Sequence, residues 1–401
     1  MTPLTLLRML RSERFAAGLL LAAAVLGLLL ANLPGIGPAL LALKNAHPHA
    51  IVPGLDLSPG HWVSDGLLVV FFFIVAVELR RELSVGELNS VSKAALPAIA
   101  ALGGVVVPAV LYVVIAGSRA GLADGWPIPT ATDIAFALGV LSLFGRFIPN
   151  HVKVFLLALA VLDDLVGILI IAFFFTSEVR LPWLGAAAAC VLVFAGLSRM
   201  LKPRSPYLLA RRPAWPIAAA MWVLAILTWY FVLRSGIHAT IAGVVLGFTI
   251  ARQPGGRMTH LLEPLSNGLI LPLFAFAAAS VAIPSLSGGL SPVFPAVLIA
   301  LPLGKFVGIV VAGWLGGTAT RAHGGVTRSP GDLVMIGCLG GIGFTVALLM
   351  NELAFRGNPA VADEGTLAVL AGSGVAIVVS AVLVTLRSRR YRYRQGSANR
   401  D

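Results

Sequence analysis

The sequence predicts an all-α polytopic membrane protein with twelve transmembrane helices. Three observations carry this reading. Of 401 residues, 58% are hydrophobic and 11% are charged, whereas a soluble domain carries about 25% charged residues. The apolar residues gather into runs close to the ~20 that span a bilayer as a helix. Lys and Arg are shared unevenly among the loops between these runs, as cytoplasmic and external loops of membrane proteins differ. A mean hydropathy of +0.94 leaves too few polar groups to cover a water-facing surface. Soluble, fibrous and disordered chains are excluded at this step.

The runs follow in order. Phe15–Leu33 comes after Arg8, Arg11 and Arg14, as in a signal peptide, but it is longer than a signal core and reads as a helix. Then come Ser64–Leu79, Ala94–Ala116, Ile134–Gly145, Val152–Thr176 and Pro182–Leu197. The second half adds Pro216–Leu233, Ile237–Ala251, Leu261–Val281, Val293–Leu315, Leu333–Phe355 and Leu367–Leu386. An even number of spans puts both termini on one side. With that side as the cytoplasm, 23 of the 29 Lys and Arg residues face it, 5 face away, and Lys305 lies inside a span. A miscounted helix would scramble this asymmetry. Both termini are therefore expected in the cytoplasm. The net charge of +12 reads as this loop bias, and no nucleic-acid partner is expected. Residues 1–386 form one membrane domain. The basic tail 387–401 is expected to be disordered near anionic lipid headgroups. Cys190 and Cys338 both sit in apolar runs and imply no disulfide framework.

A few charges stand where lipid-facing residues belong. Asp65, Asp133, Asp163 and Asp164 lie in or at the mouths of apolar runs, and Lys305 is the only base well inside one. A charge at mid-membrane costs about 2.5–3.5 kcal/mol on insertion scales and usually marks an ion or proton pathway. A salt bridge that only ties helices together is the plainer reading. One lysine cannot neutralise all these acids, so at least one carboxylate must be protonated, solvated or cation-bound. Asp163 and Asp164 are adjacent in mid-run, separated by ~100° on a helix. Both can reach one cavity, where a small hard cation would take oxygen ligands. Proton and cation would then compete for the same oxygens. That competition suffices for antiport if the site faces one side at a time.

Two spans are interrupted. The fourth opens with Pro127 and Pro129 ahead of Thr130–Asp133, and prolines remove donors and break helices. The eleventh contains Gly340, Gly341 and Gly343, a cluster that favours a non-helical bend. Close helix packing is the alternative use of such residues. Their positions weigh against it: one break lies in the middle of spans three to five, the other in the middle of spans ten to twelve. Paired breaks in corresponding positions of two repeats point to a transporter binding site.

These residues resemble the NhaA-type Na+/H+ antiporter family of bacterial inner membranes, from about Arg14 to Leu386. The stretches that carry the likeness are Ala131–Val140, Leu157–Leu165, Ser235–Gly243, Leu271–Phe276, Gly304-Lys305 and Gly341–Thr345. These antiporters are themselves an example of the paired-break rule. The resemblance implies an inverted-repeat core, about 94–176 and 293–386, with helices 4 and 11 broken and crossing at mid-membrane. An interface part would occupy about 15–80 and 182–281. It implies a multi-pass inner-membrane transporter, not an enzyme, with no cofactor beyond the transported Na+ or Li+ and H+. Asp163 and Asp164 would bind the ion, Asp164 as principal ligand. Thr132 would lie beside the site. Asp133 and Lys305 would offset the half-helix dipoles, and Lys305 would pair with Asp163. Exchange would be electrogenic and activated at alkaline pH. Glu78, Arg81, Glu82, His260 and Glu263 would serve the pH response, and Asp65 would line or support the cytoplasmic funnel. Thr259, Glu263, Ala278 and Ser280 depart from the family pattern, which leaves the pH set point open. The outer loop, Asn45 to Trp62, with the extended run Ala50–Pro53, matches a hairpin that joins two subunits, so a homodimer is expected.

Three smaller readings remain. His238 is expected to be a hydrogen-bonded structural histidine, with a pH-responsive role as the alternative. An intramembrane aspartyl protease would need two carboxylates from two helices sharing a proton, unlike the adjacent pair here. A passive cation channel fits poorly with broken helices and a lone buried lysine.

Overall fold

A computed structural model describes residues 12–46, 56–86, 91–119, 121–176, 179–201, 215–283, 289–319 and 329–398. Among the described residues the secondary structure is entirely helical. The helices are α1 (Glu13–Ala31), α2 (Ile36–Asn45), α3 (Pro59–Ser84), α4 (Val91–Ala116), α5 (Ile134–Phe144), α6 (Asn150–Phe174) and α7 (Leu181–Met200). There follow α8 (Trp215–Arg234), α9 (Thr240–Thr249), α10 (Arg252–Ala279), α11 (Val293–Thr318), α12 (Pro330–Gly340), α13 (Phe344–Ala354) and α14 (Pro359–Ala398). Among the described residues nine helices are long and apolar enough to cross a membrane, or eleven if each bent pair is one span. Large apolar side chains lie exposed on their outer faces, Phe173 at 77%, Leu192 at 73% and Val114 at 72%. Such faces are stable only against lipid. The chain is a multi-pass α-helical membrane protein.

The elements depart from the sequence reading in three places. The first run ends at Ala31, and the chain turns by 111° into α2; Gly35, at φ +83°, takes the left-handed turn that a side chain would resist. The run Ile237–Ala251 forms only the ten-residue α9. Gly236, at φ +86°, and the side-chain bonds of Ser235 and His238 hold its first residues outside the helix. The tail expected to be disordered is helical to Ala398. Arg387 and Tyr391 bond Asp332, the Phe147 N–H donates to Ser388, and Arg392 stacks over the Phe147 ring. These partners sit far upstream, so local composition gave no sign of them. The expected hairpin run Ala50–Pro53 lies outside the described residues.

The chain divides into two compact units. The first comprises Met1–Leu41, Val85–Gly167 and Ala275–Asp401. Within it, α4 meets α11 through glycines: a Cβ on Gly103 would stand 2.3 Å from the Ala312 Cβ, and one on Gly308 2.1 Å from the Gly103 carbonyl oxygen. In lipid, where apolar surfaces gain nothing by leaving solvent, such close backbone approach is what binds helices. The second unit comprises Ala42–Ser84 and Ile168–Phe274. Within it, Gly243 and Gly247 of α9 pack on the backbone of α3 at Val69 and Phe73. Phe73, Phe194, Met221, Leu246, Ile250 and Leu262 form an apolar core. An apolar cavity of about 380 Å³ lies among them.

Candidate functional site: two helix breaks around a buried ion pair

The site is built where two interruptions meet in the first unit. Before α5 the chain makes a short 3-10 turn, Ile128–Thr130, bounded by Pro127 and containing Pro129. The Thr130 hydroxyl donates to the Pro127 carbonyl at 2.7 Å, and the backbone then extends through Ala131 to Asp133. The second interruption, residues 341–343, separates α12 from α13, which are bent by 45°. Two contacts join the breaks: the Asp133 N–H donates to the Ile342 carbonyl at 2.6 Å, and the Thr132 hydroxyl to the Gly340 carbonyl at 2.9 Å. Backbone groups freed by each break are thereby satisfied by the other.

The glycines serve this meeting differently from the expectation. Gly341 and Gly343 have φ of −72° and −94°, values any residue adopts. Their value is the missing side chain. A Cβ on Gly340 would reach 2.4 Å from the Ile309 Cδ1, and one on Gly343 2.7 Å from the Leu301 Cδ1.

Asp133 caps two helices at once. Its Oδ1 accepts from the Phe136 N–H of α5 at 3.1 Å. Its Oδ2 accepts from the Thr345 N–H at 3.1 Å and the Thr345 hydroxyl at 2.6 Å, at the start of α13. Helix N-termini carry partial positive charge and orphan N–H groups, so one buried carboxylate between two of them is stabilised by both.

Asp163, on α6, is 3% exposed, and Lys305, on α11, is fully buried. They form an ion pair, and the Lys305 Nζ also donates to the Thr132 Oγ1 at 2.7 Å. Thr132 thus joins Lys305 to the carbonyl at the end of α12. The second oxygen of Asp163, Oδ1, is buried with no hydrogen-bond partner among the described residues. Asp164 is half-buried and close enough to interact electrostatically with Lys305. The cluster therefore offers two carboxylates, a threonine hydroxyl and backbone carbonyl oxygen, a donor set suited to a hard monovalent cation.

The residues expected to answer pH lie in the second unit. Glu78, on α3, lies close enough to Arg81 and Glu82 of its own helix and to Glu263 on α10 to interact with them electrostatically. His260 stands 4.0 Å from Glu263 and is largely exposed. Asp65 does not join them. It lies 13 residues earlier on α3, roughly 20 Å along a helix. There its Oδ1 meets the His238 Nε2 at 2.9 Å, both side chains being buried. His238 Nδ1 contacts the Thr240 hydroxyl at 2.7 Å, so the expected hydrogen-bonded histidine has an unforeseen acidic partner. Thr345, which holds Asp133, carried no assigned role. Its signal was a hydroxyl at the start of a helix after a break.

A family model described as Na+/H+ antiporter 1 matches residues 7–384. Among similar proteins, a Na(+)/H(+) antiporter NhaA 2 of Clavibacter michiganensis subsp. michiganensis is 58% identical, over 98% of this chain and 95% of that one. A Na(+)/H(+) antiporter NhaA of Tropheryma whipplei is 44% identical, over 97% and 96%. One from Mycolicibacterium smegmatis is 42% identical, over 96% and 88%.

Proposed function

The chain belongs to the Na+/H+ antiporter 1 family, and from that premise we propose that it exchanges Na+ for protons at Asp163 and Asp164. One observation carries the reading. Asp163 holds Lys305 through one oxygen, while its other oxygen is buried without a hydrogen-bond partner among the described residues. The cluster is balanced only as long as Lys305 carries its proton or a cation replaces that charge.

A Na+ ion entering the cluster is held by Asp164, with Asp163 and Thr132 adding oxygens. Its charge repels the Lys305 ammonium and releases Asp163 to the ion. Protons leave Asp164 and Lys305 as the cation binds and return as it departs. Ion and protons exclude each other from one site, which is the coupling antiport requires. More than one proton yielded per Na+ makes the cycle electrogenic. An inward proton force then drives Na+ out of the cell. Asp133 keeps the two positive helix ends from repelling the ion. Li+ fits the same oxygens. The protein works as a homodimer in the bacterial inner membrane, with both termini cytoplasmic. Glu78, Arg81, Glu82, His260 and Glu263 set an alkaline activation.

The test is dequenching of a pH dye in everted vesicles, with Na+, Li+ and K+ added across a pH series. Na+- and Li+-dependent proton movement that rises with pH is expected. Movement with none of these ions would end the proposal.

A further inference from the structure

The last helix, α14, runs unbroken for 40 residues beside the interrupted pair α12–α13. Polar contacts join them at three levels. Near the start of α12, the Arg387 Nε donates to the buried Asp332 Oδ1 at 3.0 Å, and Arg387 also reaches Ser329. At the start of α13, the Phe344 N–H donates to the Ser373 Oγ at 3.1 Å. Near its end, the Asn351 Nδ2 donates to the Thr366 Oγ1 at 3.0 Å. Residue numbers rise on one side as they fall on the other, 332 with 387, 344 with 373 and 351 with 366. Two antiparallel partners therefore keep register across the break. Ser373 and Arg387 are 14 residues apart, ~40° short of four full turns, and so share one face of α14.

The two contacts that flank the break bear on the ion site. Gly343 gives α13 no side-chain cap, so Ser373 supplies from another helix an acceptor that the helix start lacks. The next residue, Thr345, holds Asp133. Arg387 fixes the outer end of α12, whose last residue, Gly340, accepts from Thr132 beside Lys305. We propose that α14 acts as a splint across the broken pair, with Ser373 and Arg387 as positioning residues that set the affinity of the site for Na+. This rests on the exchange reading given above.

Ser380 provides a built-in control. It lies between the two on the same helix, fully buried, its hydroxyl without a hydrogen-bond partner among the described residues. The experiment is Na+-dependent proton exchange by the purified full-length chain in liposomes, over a range of Na+ concentrations, with melting temperatures measured alongside. Ser373→Ala leaves a buried N–H unpaired and is expected to raise the half-saturating Na+ concentration about tenfold. Arg387→Gln should raise it several-fold. Both should keep the maximal rate, with some loss of melting temperature because each leaves a buried group without its partner, and Ser380→Ala should change neither the half-saturating concentration nor the melting temperature. Lower melting temperatures with unchanged half-saturation in Ser373→Ala and Arg387→Gln would overturn the splint, leaving only a packing role. An equal shift in Ser380→Ala would overturn it too. If Ser373→Ala does not fold, the partly exposed Arg387 decides alone. A parent chain without Na+-dependent exchange would end the functional reading before any variant is compared.

Discussion

The two units are both helical and both apolar outside, yet their interiors are opposites. The first buries Asp133, Asp163, Lys305 and Asp332 with Thr132, Thr345 and Ser373 among them. The second buries the cluster of Phe73, Phe194, Met221, Leu246 and Ile250, with the Asp65–His238 pair apart from it. In the first unit the backbone is interrupted twice, and polar side chains complete what the breaks leave open. In the second, glycines let α3 and α9 touch, as they let α4 and α11 touch in the first, and the described interior is mostly apolar. The difference teaches where a membrane protein can carry a labile charge. Buried charge persists where freed backbone and hydroxyl groups surround it, and an apolar core offers neither.

Variants should separate the two interiors by kind of effect. The largest is expected from Asp164→Asn, which should reduce exchange to the background of empty vesicles while the protein still reaches the membrane; unchanged exchange would remove the site from the first unit. Asp163→Asn leaves Lys305 as a buried charge without its acid. It should cost about 3–5 kcal/mol of stability, read as a large loss of melting temperature. Asp133→Ala strips the acceptor from two helix starts and should cost about 2–3 kcal/mol; a smaller loss would mean that water takes its place. In the second unit, Met221→Ala widens an apolar core and should cost about 2 kcal/mol, with the half-saturating Na+ concentration unaltered. A shift in that concentration would blur the comparison. The smallest effect belongs to Glu263→Gln. Its contact with His260 is long and exposed, so stability should change by under about 0.5 kcal/mol, checked by thermal melting.

The sequence made the buried charges of the candidate site legible because charge in an apolar run is an anomaly. Asp133, Asp163, Asp164 and Lys305 were found that way, and proline and glycine clusters marked the two breaks. Which acid holds Lys305 was not open to residue-by-residue reading, since the register between helices leaves no local trace. Thr345 and Ser373 escaped for a different reason: hydroxyls are common in membrane helices, where they usually bond their own backbone. Arg387 read as part of a disordered basic tail and Asp332 carried no reading, and their pairing, 55 residues apart in the chain, left no local trace. The glycine cluster at 340–343 was read as a bend, and the chain does bend there by 45°, although Gly341 and Gly343 take φ values open to any residue. A glycine's two uses, freedom of φ and absence of a side chain, look identical in a sequence.

Competition between ion and proton for the Asp163–Asp164–Lys305 cluster can be measured without transport. The purified full-length chain in weakly buffered detergent should release protons as Na+ is titrated in, more than one for each ion bound. Asp164→Asn should abolish both binding and release. Na+ binding by the parent chain with no proton release would contradict the shared site.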